Sequence, residues 1–132
     1  MHANMKIRLI GKEGAEWRTK HESYLRQAYG AEILHDFRND IDGIDVVAHD
    51  FELVNEADLI IVNGEQEIGP GASMEMVFAK QLGKPVLTIL PMRKGIHEMR
   101  AGKEWIHPFI LAFSDKIIAK IEDLPKITDF KS

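Results

Sequence analysis

Apolar and polar positions along this chain follow two alternating periods. Residues 6–10 alternate weakly and stop at Gly11, which predicts a strand. The pattern then turns helical over 15–29, where Trp17, Tyr24, Leu25 and Ala28 fall near one face and Gly30 stands at the C-cap position. A short strand is expected over 32–37, and the polar stretch 38–45, with Gly43, reads as a loop. Val47, Phe51 and Val54 recur at spacings of four and three, so 46–57 reads as a helix with Phe51 and Val54 toward a sheet. Residues 58–63 are β-branched and apolar, as a buried strand requires. Residues 64–71 hold three glycines and Pro70 and form a loop; 72–82 is a helix closed by Gly83. A second buried strand lies between Pro85 and Pro91, and 92–103 is a charged, glycine-containing loop. A helix over 105–113, opening around Pro108, and a final strand over 116–121 complete the chain before a short polar tail.

Strands that alternate with helices pair in parallel through right-handed crossovers. The expected fold is therefore α/β: a three-layer α/β/α sandwich around a five-stranded parallel sheet of order 2-1-3-4-5, flavodoxin-like or Rossmann-like. With no internal repeat or low-complexity linker, residues 1–132 are read as a single domain. In such sheets a ligand binds beyond the carboxyl ends of the strands at the switch point. Here that places it between Gly11 and residues 64–73.

Composition narrows the partners. A hydrophobic fraction of 45% with a net charge of −4 excludes disorder as the default and gives no bulk attraction for nucleic acid. The absence of cysteine excludes a disulfide framework, a thiolate metal site and a cysteine nucleophile. No apolar run approaches a membrane span and the N-terminus has no apolar signal region, so a cytoplasmic protein without membrane contact is expected. The six histidines include no i, i+4 pair, and neither a metal nor a cofactor is expected.

The most informative stretch runs from Gly69 through Pro70, Gly71, Ala72, Ser73 and Met74 to Glu75, between a buried strand and a helix. Glycines let backbone N–H groups approach a ligand, and a helix N-terminus adds positive potential and free donors. Glu75, in the first turns of that helix, is a fixed anion at the ligand edge of the sheet, suited to act as a nucleophile or to stabilise a cationic transition state. The plainer alternative is an acid that complements the helix dipole. The stretch lacks the terminal Gly-Lys-Ser/Thr of a Walker loop, and its glycine spacing is wrong for a dinucleotide fingerprint. Asp50, near the start of the preceding helix, is the second candidate, against the reading of a solvated first-turn acid.

The order of these motifs resembles the nucleoside 2-deoxyribosyltransferase superfamily, which includes the deoxynucleoside 5′-monophosphate N-glycosidases. The resemblance rests on Ile7 to Gly11, on Asp50 eight residues before Asp58 and its apolar strand, on Gly71 to Glu75, and on Gly83-Lys84-Pro85-Val86. It covers most of residues 6–91. Glu16-Trp17-Arg18 and Ile106-His107-Pro108-Phe109 resemble a less-characterised branch of the same fold. The resemblance implies that Glu75 attacks the anomeric carbon of a (deoxy)ribose or stabilises its oxocarbenium character, and that Asp50 serves proton delivery to the departing base. It implies that Gly11 and the Gly69, Gly71 and Ser73 loop cradle the sugar or a 5′-phosphate. It also implies a homo-oligomer, dimer or higher, whose partner is a small nucleoside or nucleotide. Two positions depart from the family pattern. Arg8 stands where the family has a tyrosine that positions the glutamate; an arginine there pairs with Glu75 or binds a phosphate. The polar loop from Gly64 to Glu67 replaces an aspartate-bearing segment.

Other residues carry weaker signals. His107 before Pro108 is a helix-cap or packing residue, or a substrate contact. Trp105 and Phe109 pack in a core or interface, or stack on a base. Arg93, Lys94, Arg100 and Lys103 form a basic cluster in a solvated loop, or contact a phosphate. Met74 and Met76 are core or pocket wall. The expected function is cleavage or transfer of the N-glycosidic bond of a (deoxy)nucleoside or its 5′-monophosphate. The alternatives are a nucleotide- or nucleotide-sugar-binding module without catalysis, and a Rossmann-type phosphoribohydrolase, whose second and third loop glycines are missing here.

Overall fold

The computed structural model describes residues 5–12, 15–34, 44–66, 68–91, 99–100, 103–104 and 108–124. Strand β1 (Lys6–Ile10) is followed by α1 (Ala15–Tyr29), β2 (Glu32–Leu34), α2 (Ile44–Glu56), β3 (Leu59–Asn63), α3 (Pro70–Gln81) and β4 (Val86–Ile89). Then come two-residue strands β5 (Met99–Arg100) and β6 (Lys103–Glu104), α4 (Pro108–Ala112), β7 (Lys116–Ile118) and a 3₁₀ turn at Ile121–Asp123. The main sheet is wholly parallel, in the order β2-β1-β3-β4-β7, which is 2-1-3-4-5 among its own strands. This is the α/β architecture the hydrophobic pattern predicts.

Alternation along the strands divides the core in two. Ile7, Leu9, Leu59, Ile61, Leu87 and Ile89 face α1 and the 3₁₀ turn, where Trp17, Leu25 and Ile121 close over them. Ile10, Ile60, Val62 and Val86 face α2 and α3, under Leu53, Val54, Ala57, Ala72, Met76 and Ala79. Gly30 (φ 62°) and Gly83 (φ 74°) follow α1 and α3 in the left-handed conformation that a side chain resists.

Several boundaries differ from expectation. Helix α3 opens at Pro70 rather than 72, because a proline at the first helical position loses no needed donor. Helix α2 opens at Ile44, two residues early. The expected loop 92–103 holds β5 and the first residue of β6, which ends at Glu104. The last strand stops at Ile118, and Ile121 enters the core from a 3₁₀ turn instead. Residues 35–37 of the expected second strand and 105–107 of the expected last helix lie outside the described residues.

Helix faces also shift. Ala28 is exposed, and His21 takes the inward place between Trp17 and Leu25. Val47 is exposed, while Phe51 stacks on Phe78 with ring centroids 4.5 Å apart. Phe109 is 70% exposed, so it is not a core residue of this chain. Met76 is core, whereas Met74 is exposed. Among the described residues, no helix is long and apolar enough to cross a membrane.

Candidate functional site

Strand β1 places an arginine where its pattern calls for an apolar residue. Ile7 and Leu9 point into the α1 side, so Arg8 and Ile10 point toward α2 and α3. Arg8 is 1% exposed. A guanidinium removed from water is tolerated only with charged, hydrogen-bonded partners. Glu75 Oε1 accepts from Arg8 Nε at 3.3 Å and from Nη2 at 3.1 Å. Asp50 Oδ1 lies 3.7 Å from the same Nη2.

The helix period brings the two acids to this point. Asp50 continues the inward stripe of Leu53, Val54 and Ala57 on α2. Glu75 lies on the stripe of Ala72, Met76 and Ala79 on α3. Each acid thus occupies a core-facing position, and Glu75 and Asp50 are 5% and 8% exposed. The plainer alternatives, a dipole-complementing acid for Glu75 and a solvated first-turn acid for Asp50, do not describe these positions. Counted from Ile44 and Pro70, both sit in the second turn, and α3 has no acid in its first turn. Arg8, not the helix N-terminus, is the charge that accompanies Glu75.

A cavity of about 460 Å³ opens over this cluster at the carboxyl end of β1. That volume lies in the range of small-molecule sites. Arg8, Asp50 and Glu75 form its floor with Ile10. Val46, Val47 and Phe51 of α2 and Met74 of α3 give it apolar flanks. Gly69, Pro70 and Gly71 present backbone at the α3 end, and Gly11, Lys12 and Arg18 border it from the β1–α1 connection.

The glycines of the site do different work. A Cβ on Gly11 would stand 2.8 Å from Trp17 Cζ2 and 3.0 Å from Asn63 Cβ, so the chain there passes too close to its neighbours for a side chain. A Cβ on Gly69 or Gly71 would meet nothing within 4 Å. Those two keep open space beside the cavity rather than permit internal packing. Ser73 Oγ donates to the Gly69 carbonyl at 3.0 Å, a bond within the first turns of α3. His107, Trp105, Arg93 and Lys94 lie outside the described residues. Arg100 and Lys103 are opposite one another in the β5–β6 pair.

The loop after β3 is organised separately. Buried Asn63 donates from Nδ2 to Gln66 Oε1 at 2.8 Å, and its Oδ1 accepts from the Glu65 backbone N–H at 3.2 Å. His21 Nε2 lies 2.7 Å from Glu65 Oε1, and its ring meets the edge of Trp17. Burial lowers the pKa of His21 from its ordinary value, against the opposing pull of Glu65. Among the described residues, no three His, Asp or Glu side chains gather as a metal ion would require.

Sequence reasoning did not find Lys12, Arg18 or Phe51 as part of the cavity. Arg18 and Phe51 sit where the helix phase alone decides between solvent and site. Lys12 follows a strand end, a place without periodicity.

No family model matches this chain, and no curated protein matches it. Solved structures do. A conserved protein from Enterococcus faecalis superposes with a TM-score of 0.72 at 15% identity, over 92% of this chain and 94% of that one. A CMP N-glycosidase of Clostridium botulinum, BcmB, superposes with a TM-score of 0.57 at 18% identity, over 89% of this chain and 93% of that one. At these identities the likeness is one of fold.

Proposed function

We propose that the cavity binds a (deoxy)nucleoside or its 5′-monophosphate and that the protein cleaves or transfers the N-glycosidic bond. The observation that carries this reading is the convergence of Asp50 and Glu75 on Arg8 at the cavity floor. Two buried carboxylates at one point are what glycosidic chemistry needs. The shared fold of a CMP N-glycosidase supports the same bond class.

In this scheme a Glu75 carboxylate oxygen attacks C1′ of the sugar. The C1′–N bond breaks, and its electron pair leaves on the base nitrogen, which takes a proton delivered through Asp50. Water or a second base then attacks C1′ from the vacated face, releasing Glu75 and giving up its proton. Arg8 positions Glu75, the work that the resemblance gives to a tyrosine. Its positive charge also allows two acids to share a buried floor. The backbone of Gly11, Gly69 and Gly71 lines the cradle, and the apolar flank of Val47 and Phe51 suits the face of a base.

One observation favours a second reading, a binding module without turnover. The two Arg8 bonds to Glu75 Oε1 withdraw electron density from the proposed nucleophile. Chromatographic assay of free base from a panel of nucleosides and 5′-monophosphates separates the two readings. Release of a base supports the enzyme. A rise in Tm with a panel member but no release supports the binder.

A further inference from the structure

We propose that Arg8 is exchanged between Glu75 and Asp50, pairing with whichever of the two carries the negative charge. In turnover it then serves Glu75 first and Asp50 once Glu75 has become a glycosyl ester. That consequence rests on the reading of Glu75 as nucleophile and Asp50 as proton donor, and it makes Arg8 a positioning residue in both halves of the reaction.

One nitrogen faces both acids. Arg8 Nη2 lies 3.1 Å from Glu75 Oε1 and 3.7 Å from Asp50 Oδ1. The first contact is a hydrogen bond, reinforced by Arg8 Nε on the same oxygen at 3.3 Å. The second is an ion pair beyond hydrogen-bond length. A shift of about 0.8–1 Å brings Nη2 to the length of a charge-assisted bond with Asp50. Both Arg8 bonds to Glu75 end on Oε1, which assigns the attack on the sugar to Oε2.

Burial makes the exchange necessary. Arg8 is 1% exposed, and a buried guanidinium needs an anion beside it at every stage. The other cations that line the cavity stand away from the floor. Arg18 lies over the Trp17 ring and donates to the Leu9 carbonyl, and Lys12 is exposed.

The two acids carry the charge in turn. When Glu75 Oε2 bonds to C1′, the electron pair of the C1′–N bond leaves with the base, and the carboxylate becomes a neutral ester. The base nitrogen takes its proton from Asp50, which becomes the carboxylate. When water or a second base attacks C1′, Asp50 accepts the proton given up. The bond from C1′ to Oε2 breaks, and its electron pair returns to Glu75. One carboxylate thus faces Arg8 before, between and after the two displacements, and the net charge of the floor stays constant. The tyrosine that the resemblance gives this position is neutral, so the exchange belongs to this chain's arginine.

Neutral variants of the same shape imitate the two stages without substrate. Glu75→Gln stands for the ester and Asp50→Asn for the protonated acid. A crystal structure of Glu75→Gln is expected to show Arg8 Nη2 within about 3.0 Å of an Asp50 oxygen. In denaturant titration, the double variant Asp50→Asn/Glu75→Gln leaves Arg8 without either carboxylate. Its folding equilibrium constant is expected to fall at least about tenfold below the product of the two single losses. A double variant that does not fold, beside two single variants that do, is the extreme of the same excess. The excess is expected to vanish in an Arg8→Gln background and to return in part with Arg8→Lys, which keeps the charge. An Arg8 to Asp50 separation that stays near 3.7 Å in Glu75→Gln, losses that simply multiply, or an excess that persists in Arg8→Gln overturns the exchange. Base release by the wild type with that separation unchanged overturns the exchange alone. Contraction without base release from any nucleoside or 5′-monophosphate upholds the exchange and overturns the reading of turnover.

Discussion

Arg8 and Glu75 stand 67 positions apart in the chain, yet Arg8 Nη2 lies 3.1 Å from Glu75 Oε1 where solvent scarcely reaches. The contact joins the middle of β1 to the second turn of α3, and Asp50 brings α2 to the same nitrogen. A strand of the sheet and the two helices on one of its faces are thereby joined through charge as well as apolar packing.

Removing the cation should expose the cost of that arrangement. Arg8→Met leaves two buried acids without it and is expected to destabilise the fold by about 3–5 kcal/mol in denaturant titration. The double variant Arg8→Met/Glu75→Gln should recover part of the loss, giving a coupling energy of about 1–3 kcal/mol. Strict additivity of the two changes would mean that the pair is not the linkage described here.

The glycines should separate by role. Gly11→Ala forces a methyl against Trp17 and Asn63, and a cost of about 1–3 kcal/mol is expected from overpacking. Gly69→Ala and Gly71→Ala face open space and should leave Tm within a few degrees of wild type. Their methyls border the cavity, so ligand affinity should fall instead. Thermal unfolding with and without ligand checks both halves.

The sheet order was legible because it needs only alternation of strands and helices and two β-branched runs, 58–63 and 86–90. The floor of the site was legible in part. Glu75, Asp50 and Arg8 were singled out, and Arg8 pairs with Glu75 as one of its two expectations held. Their burial was not legible, because an acid on an apolar stripe is buried only where a partner meets it, and that partner, Arg8, comes from a strand far away in the chain. Ser73 reads as a ligand donor, and the bond of its hydroxyl to the Gly69 carbonyl one turn back is a local contact that no spacing rule announces. Arg18 and Lys12 escaped because no spacing rule marks a guanidinium stacked on Trp17 or a loop carbonyl that accepts from its Nε1.

His21 supplies a pH prediction. Burial lowers its pKa below the ordinary 6.5, so the unfolded chain binds the proton more readily. The stability this residue contributes is complete above pH 6.5 and declines as pH falls from there through the lowered folded value. Wild type should therefore lose stability relative to His21→Gln between neutral and mildly acidic pH. Parallel stability curves for the two proteins across that range would show that His21 takes up its proton as easily folded as unfolded.

The most direct measurement is base release by wild type and by Glu75→Gln, on one nucleoside 5′-monophosphate that the wild type turns over. Glutamine keeps the shape of the side chain and removes its charge and nucleophilicity. Release is expected to fall by about a thousandfold or more while the protein remains folded and still binds the nucleotide. Release at or near the wild-type rate would contradict it, because the glycosidic bond would then be broken without Glu75.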